Sequence, residues 1–442
     1  MGFDFRLFGL LLLNTIVNAA ISIIAPFYPT EAAKRGMSEA VVGFVFASLP
    51  MGGFFFSLIF GKYMRFWGRK KLLFIGMSLL IIGFILFAII DLTNNLAIFL
   101  SISIIGRMIQ GLGLSAYTSV SYAYLPLLYK EDELQEKIGY MEATTGIGML
   151  IAPLLGSLLY YLWGYQSPFY VMTGVIFVCS PWLIRSLPPD TLVLKTEKKP
   201  LSLRKVLSRR KILLTYVFSA FIMGGFGFLE PVFAAHLTTF GLNVIEIGVV
   251  FSAGTLSYSL CMILLGKYSK KIKRSYLMVL GSVFYIISFI LIGPQSLIGL
   301  PKTIWVVCIG MVILGFGATL TVLPIIPEFI SLCEEVYQDE KIAVGDLSSG
   351  MFDSSYLVGS LFGPIIAGYL TNALGFENSS SIFALMLFGY SLFYCVFGGI
   401  LEELRNGSKK KENTLLDGSQ VKEQKDLLLN AKLVKEQGEN RI

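Results

Sequence analysis

Apolar residues run along this chain in long stretches set apart by short polar segments. The stretches lie near 8–28, 39–60, 72–90, 97–121, 138–161, 166–187, 212–236, 246–266, 276–293, 303–330, 347–370 and 381–401. Each is close to the ~20 residues that a helix needs to cross the hydrocarbon core of a bilayer. The pattern predicts twelve transmembrane helices, because lipid offers no partner to a backbone amide and a helix satisfies its own. Two polar stretches interrupt the series. Residues 188–211 open Pro188-Pro189-Asp190, turn Lys-rich and end Arg209-Arg210-Lys211. Residues 402–442 are charged and too poor in apolar residues for a core, with a short helix expected around Val421–Val434. The expected organisation is an N-terminal six-helix half (1–187), a cytoplasmic linker (188–211), a C-terminal six-helix half (212–401) and a cytoplasmic tail (402–442).

Composition agrees with this reading. Of 442 residues, 55% are hydrophobic and only 15% charged, an apolar excess beyond what a soluble domain carries. The net charge of +7 is a topology signal and not a sign of nucleic-acid binding. Lys and Arg concentrate in alternate loops, at Lys62 to Lys71, Lys130 and Lys137, Lys195 to Lys211, Lys267 to Arg274, and Arg405 to Lys411. The opposite loops carry only Lys34, Arg35 and Lys302. Both termini and the linker are therefore expected in the cytoplasm. No signal peptide is expected, since the first apolar run is long and reaches Pro26-Phe27-Tyr28-Pro29 without a small-residue cleavage site. Cys179, Cys261, Cys308, Cys333 and Cys395 show no paired spacing, so neither disulfides nor a metal are expected. His236, the one histidine, falls near a span end with no nucleophile or metal constellation, which argues against an enzyme and against a cofactor.

The polar and small residues repeat. Pro26, Gly36, Gly43, Gly61, Lys62 and Tyr63 recur as Pro231, Gly241, Gly248, Gly266, Lys267 and Tyr268, and 231 − 26 = 266 − 61 = 205. Gly139, Gly148, Pro153 and Gly164 recur as Gly350, Gly359, Pro364 and Gly375, with 364 − 153 = 211. Two copies of one six-span unit are expected, an arrangement common in transporters.

Three motifs carry mechanism. Gly61-Lys-Tyr-Met-Arg65-Phe-Trp-Gly68-Arg69-Lys70-Lys71 joins spans two and three. Its glycines permit a tight turn, and its cations can reach helix C-terminal carbonyls or carboxylates of a neighbouring span. It resembles the loop signature of the major facilitator superfamily, G-x-L-A-D-R-x-G-R-K, with Gly266-Lys-Tyr-Ser-Lys-Lys-Ile-Lys-Arg274 as a weaker copy. Arg65 stands at the family's Asp, so the lock that this Asp helps form is absent or rebuilt here. Arg107-Met-Ile-Gln110-Gly111-Leu-Gly113, inside span four, resembles the superfamily's R-x-x-Q-G-x-G; an arginine at that depth costs about 2.5–3.5 kcal/mol and points to function. Gly148-Met-Leu-Ile-Ala152-Pro153 and Gly359-Ser-Leu-Phe-Gly363-Pro364 resemble its antiporter motif. Small residues four apart let helices approach, and proline permits a bend. Gly61, Gly68, Arg69, Gly148, Pro153, Gly363 and Pro364 are the candidate gating residues.

The acids within spans are the sharpest chemical signal. Glu142 and Asp353 are equivalent, since 353 − 142 = 211. Glu328 lies near the cytoplasmic end of span ten, in Pro324-Ile-Ile-Pro327-Glu328. Glu230 lies toward the far side, about 27 Å along span seven. Arg107 is nearer mid-depth, about 10 Å from Glu142 along the membrane normal, so direct pairing of those two is not expected. Carboxylates in low dielectric take protons near neutrality and also hold cations. Tyr117, Tyr122, Tyr124, Phe226, Phe228 and Tyr356 are placed to add cation–π contacts.

Over residues 8–401 the chain looks like a major facilitator transporter, all-α, with two pseudo-symmetric six-helix bundles. Residues 25–36 (APFYPTEAAKRG), Gly227-Phe-Leu-Glu230-Pro231, Leu323-Pro-Ile-Ile-Pro-Glu328 and Gly350-Met-Phe-Asp353 more narrowly resemble the vesicular amine transporter family, closest to its polyamine branch. The resemblance implies exchange of lumenal protons for cytosolic amines at Glu230 and Asp353, across a secretory or endolysosomal vesicle membrane. The acids that the monoamine branch carries in spans one and ten fall at Asn14 and Val322 here, which points away from monoamines. The alternatives are an uncoupled facilitator, an efflux carrier for drugs at the plasma membrane, and a sensor or scaffold that binds without transporting. The expected partners are an organic cation, protons, the bilayer and a sorting adaptor at Glu423, Leu427 and Leu428, with the chain acting as a monomer. Asn378-Ser379-Ser380 is a glycosylation acceptor in the loop before the last span.

Overall fold

The computed structural model describes residues 4–24, 27–37, 39–93, 95–188, 201–242, 244–268, 272–294, 299–337 and 341–398. Pro26, linker residues 189–200 and the tail with Glu423, Leu427 and Leu428 lie outside the described residues. Twelve helices of 18 residues or more follow one another: α1 Phe5–Ser22, α2 Glu39–Trp67, α3 Arg69–Ile89, α4 Leu96–Leu128, α5 Glu131–Trp163, α6 Ser167–Ser186, α7 Arg210–Thr238, α8 Val244–Tyr268, α9 Arg274–Ile292, α10 Ile304–Val322, α11 Lys341–Leu374 and α12 Phe376–Phe397. Among the described residues, eleven spans are long and apolar enough to cross a membrane. The described residues up to Leu392 form one packed unit; the second begins at Phe393, where the Phe393 and Phe397 rings lie 4.4 Å apart.

Local chemistry sets the breaks. The Asp4 carboxylate accepts from the amides of Arg6 and Leu7 to start α1, and Asn95 does the same for α4 through Ala97 and Ile98. The repeated glycines Gly36 and Gly241, and Gly164 and Gly375, all sit at φ between 77° and 81°, a left-handed conformation that L side chains adopt at a cost. Span ten differs from expectation: α10 stops at Val322, and after Leu323-Pro324 a separate helix, Ile325–Glu334, carries Glu328. Pro324 has no amide to continue the ladder.

The packing is two-fold. In the first bundle α1 packs on α5, α2 on α4 and α3 on α4; in the second α7 packs on α11, α8 on α10 and α9 on α10. The bundles meet along α2–α11 and α8–α5. Equivalent glycines make these approaches. A Cβ on Gly61 would lie 2.7 Å from the Gly350 Cα, and one on Gly266 3.4 Å from the Gly139 Cα. A Cβ on Gly148 would meet the Thr15 carbonyl and Ala19 amide at 2.7 and 3.0 Å; on Gly359 it would meet those of Ala220 and Gly224 at 2.3 and 2.6 Å. The offsets 205 and 211 relate each pair of contacts, so the repeat in the sequence is a repeat of helix–helix approaches.

Candidate functional site

Six helices, α1, α4, α5, α7, α8 and α11, bring the polar residues together. Ser115, Ser119 and Tyr122 stand four and then three residues apart on α4 and so share one face. Ser115 donates to Asp353 Oδ2 at 2.5 Å, and Ser119 to the same oxygen at 3.3 Å. Tyr122 donates to Glu142 Oε1, and Tyr258 of α8 donates to Oε2 at 2.8 Å. Each acid is thus buried and gripped by hydroxyls, the compensation a carboxylate needs in low dielectric. Both clusters cross between the bundles: Asp353 reaches α4 from α11, and Tyr258 reaches α5 from α8.

Asn14 extends the network to α1. Its amide nitrogen donates to the Met141 carbonyl at 2.7 Å and to Thr144 and Thr145 at 3.0 and 2.8 Å, and its oxygen accepts from Tyr117 at 3.1 Å. Tyr356, three residues beyond Asp353 on α11, feels the charges of Glu230, Glu142 and Asp353 together.

Glu230 differs from the other two acids. Its side chain is exposed on the protein surface of the described residues although it lies well inside α7, and its charge and that of Arg107 act on each other. Arg107 is itself buried. It donates to Gln110 Oε1 at 3.2 Å and to the Ile21 carbonyl at 3.4 Å, and its guanidinium lies 5.1 Å from the Phe46 ring centre and 5.9 Å from that of Phe87.

On the face bearing the basic loops the bundles are in contact. There Arg69, the first residue of α3, forms an ion pair with Asp346 of α11, with side chains 1% and 2% exposed. Sequence reasoning missed Asp346. The signal was Arg69, a cation of the loop motif that can reach a carboxylate of a neighbouring span. At the opposite ends of α2 and α8, a Cβ on Gly43 or Gly248 would meet nothing within 4 Å. Among the described residues the bundles are in close contact toward the basic face.

The remaining candidates fall elsewhere. Glu328 pairs with Lys211 at 3.5 Å on the basic face, apart from the acid cluster. Gly363 seats α11 against α7, with a built Cβ 2.2 Å from the Gly224 carbonyl, and Pro364 touches Gly227 within an unbroken helix; α5 likewise runs helical through residue 153. Gly68, at φ 88°, forms the turn into Arg69. The His236 ring stacks on Phe376 with centres 4.2 Å apart. Asn378 is exposed but sits in the first turn of α12 and not in a loop, because the left-handed Gly375 makes the turn from α11 very short. Beyond Asp346, Ser115, Ser119 and Tyr258, two polar sets escaped the sequence reading: Asn14 with its threonines, and an outer network of Glu31, Lys34, Arg35, Asp91 and Tyr160. The α4 spacing was the one available pointer to the serines.

Comparison with known proteins follows this geometry. The chain is 29% identical over 381 residues to the mouse MFS-type transporter SLC18B1, covering 84% of this chain and 82% of that protein. It is 24% identical to the mouse vesicular acetylcholine transporter, covering 91% and 73%, and 23% identical to the rat synaptic vesicular amine transporter, covering 82% and 67%. The crystal structure of the human organic anion transporter MFSD10 (TETRAN) superposes with a TM-score of 0.67 at 14% identity, covering 89% of this chain and 99% of that one, which speaks to the fold alone. The family model described as Major Facilitator Superfamily matches residues 10–343. Twelve helices in two equivalent bundles around a buried polar site, with this match, make the chain a membrane transporter that belongs to the Major Facilitator Superfamily.

Proposed function

We propose that the protein exchanges protons for an organic polycation, a polyamine in the first instance, across a vesicle membrane. The observation that carries this is the set of three acids within spans, Glu142 and Asp353 buried and held by hydroxyls between the bundles and Glu230 well inside α7. Against them stands Arg107, which acts on Glu230. A site with more acids than cations favours a ligand with more than one positive charge, and the tyrosines around it add cation–π contacts of about 0.5–2 kcal/mol each. Asn14 and Val322, where the monoamine branch has acids, weigh against a singly charged monoamine.

Each carboxylate binds either a proton or part of the amine, so the two compete and their flows are opposed. The basic face is cytoplasmic by the positive-inside rule, and the described conformation then opens its site to the lumen. Protons from the lumen displace the amine there, and the bundles rock to present the acids to the cytoplasm. Arg69, Gly61, Gly148 and Gly363 govern the rocking through the close contacts that they make. The test is uptake of labelled spermidine into proteoliposomes with an acid interior. Glu230→Gln and Asp353→Asn should each abolish gradient-driven uptake, and full uptake in both variants would sink the carboxylate mechanism. Uptake that survives collapse of the gradient would favour the uncoupled facilitator.

A further inference from the structure

Glu142 is held from both bundles at once. Tyr122 comes from α4 in the first bundle and Tyr258 from α8 in the second, each donating to a different carboxylate oxygen. The bond lies within the α5–α8 contact. On one side of it a Cβ on Gly139 would meet the Met262 carbonyl at 2.5 Å; on the other, a Cβ on Gly146 would meet Ser259 Oγ at 2.0 Å. Opening a path from the site to the basic face requires α5 and α8 to part there, and the Tyr258–Glu142 bond must break when they do.

We propose that Glu142 is the proton-controlled fastener between the bundles, with Tyr258 as its positioning partner on α8, so that taking up a proton at Glu142 releases the cytoplasmic closure. This deepens the exchange reading above and rests on it. As a carboxylate, Glu142 accepts two O–H bonds with its full charge, and such bonds are roughly twice as strong as neutral ones. Once it is protonated the charge is gone and one oxygen becomes a donor, so the two tyrosine hydroxyls no longer both find an acceptor lone pair of a charged group. The groups that face it are Tyr122 of α4, Tyr258 of α8 and Tyr356 of α11, the last also facing Glu230 and Asp353. Asn14 of α1 fixes the adjacent turn through the Met141 carbonyl.

The sign suits the proposed cycle. A carrier protonated from the lumen loosens at Glu142 and can open to the cytoplasm. An empty carrier without the proton stays fastened, which blocks a futile return. Asp353, the repeat-equivalent acid, also bonds across the divide but to serines of α4, so the two acids fasten different helix pairs.

The experiment is hydrogen exchange of backbone amides 133–142 and 258–266 on the full chain in lipid nanodiscs, at pH ~7.5 and ~5.5, corrected for the intrinsic rate. In the natural protein, exchange at the lower pH should rise about fivefold, which is about 1 kcal/mol at 1.4 kcal/mol per tenfold. Glu142→Gln should exchange fast at both pH values. Tyr258→Phe, a milder change, should exchange faster at pH ~7.5 and show a smaller pH response. A natural protein without the pH response, or a Glu142→Gln variant that keeps it, overturns the proposal. Because the readout needs no substrate, it separates from uptake: the proposal fails alone if uptake is proton-driven while Glu142→Gln keeps the response. The exchange reading fails alone if that variant loses the response while uptake in the natural protein ignores the gradient.

Discussion

The Arg69–Asp346 pair predicts how the cytoplasmic face is kept shut. Asp346→Asn removes one partner and leaves the Arg69 charge buried between α3 and α11, where both side chains are almost wholly excluded from solvent. Breaking a buried pair in this way costs about 3–5 kcal/mol, because it removes the carboxylate that offsets a buried charge. The molecule has an escape short of unfolding: parting α2 from α11 hydrates Arg69. The cost therefore falls on the closed state alone, and at 1.4 kcal/mol per tenfold it shifts the closed-to-open ratio by roughly 10²–10³. Hydrogen exchange of amides 57–64 and 344–351, where Gly61 faces Gly350, reads this directly, and spermidine uptake should fall because the lumen-open state is depleted. Exchange the charges, Arg69→Asp with Asp346→Arg, and part of the protection should return, since the attraction does not depend on which bundle carries the acid. Unchanged protection in Asp346→Asn, or a reversed pair no better than the single variant, refutes the reasoning.

Two other outcomes follow from the polar networks. Asn14→Asp replaces a group that donates to Met141, Thr144 and Thr145 with one that only accepts and faces a carbonyl; it should lower thermal stability by about 1–3 kcal/mol without conferring monoamine uptake, and a gain of monoamine uptake at full stability contradicts this. In the outer network, burial works to raise the Glu31 carboxyl, but donors from Lys34, Tyr160 and Arg35 outweigh it and hold the group below its ordinary value of 4.5. A depressed carboxylate contributes stability that is present above the unfolded value and lost as pH falls through the folded one. Exchange protection of residues 28–37 should therefore be equal at pH ~7.5 and ~5.5 and drop in Glu31→Gln; protection lost between those two pH values counts against it.

The fold was legible because its grammar is coarse. Runs of about 20 apolar residues set the helices, and glycines at a constant offset marked the repeat before any contact was known. What the repeat meant was less legible. Gly61 and Gly350 belong to different repeat sets in the sequence, and it is the structure that sets them face to face, as it does Gly266 and Gly139. Glu142, Glu230, Asp353 and Arg107 were visible because a charge within an apolar run stands out. Ser115, Ser119, Tyr258 and Asn14 were not, since hydroxyls and amides are common in spans and their role depends on which helix they face. Asp346 was hidden for a further reason: it lies near the start of α11, in a stretch that reads as an ordinary polar span end until Arg69 is brought to it.

The symmetry of the scaffold and the asymmetry of its chemistry together constrain the mechanism. If the two bundles were chemically equivalent, the α2–α11 and α8–α5 contacts would open and close under the same influence. They are held differently: α2–α11 lies beside the Arg69–Asp346 ion pair, and α8–α5 contains the Glu142–Tyr258 hydrogen bond. An arginine stays charged throughout the physiological range, whereas a carboxylate held by two hydroxyls can exchange its charge for a proton. One contact is then a fixed bias toward the closed cytoplasmic face, and the other is the part that a proton can cancel. A fixed bias alone would trap the carrier open to the lumen, and a cancellable one alone would let the empty carrier leak. Coupling needs both, and equivalent helix contacts of the repeat that carry unlike chemistry supply them.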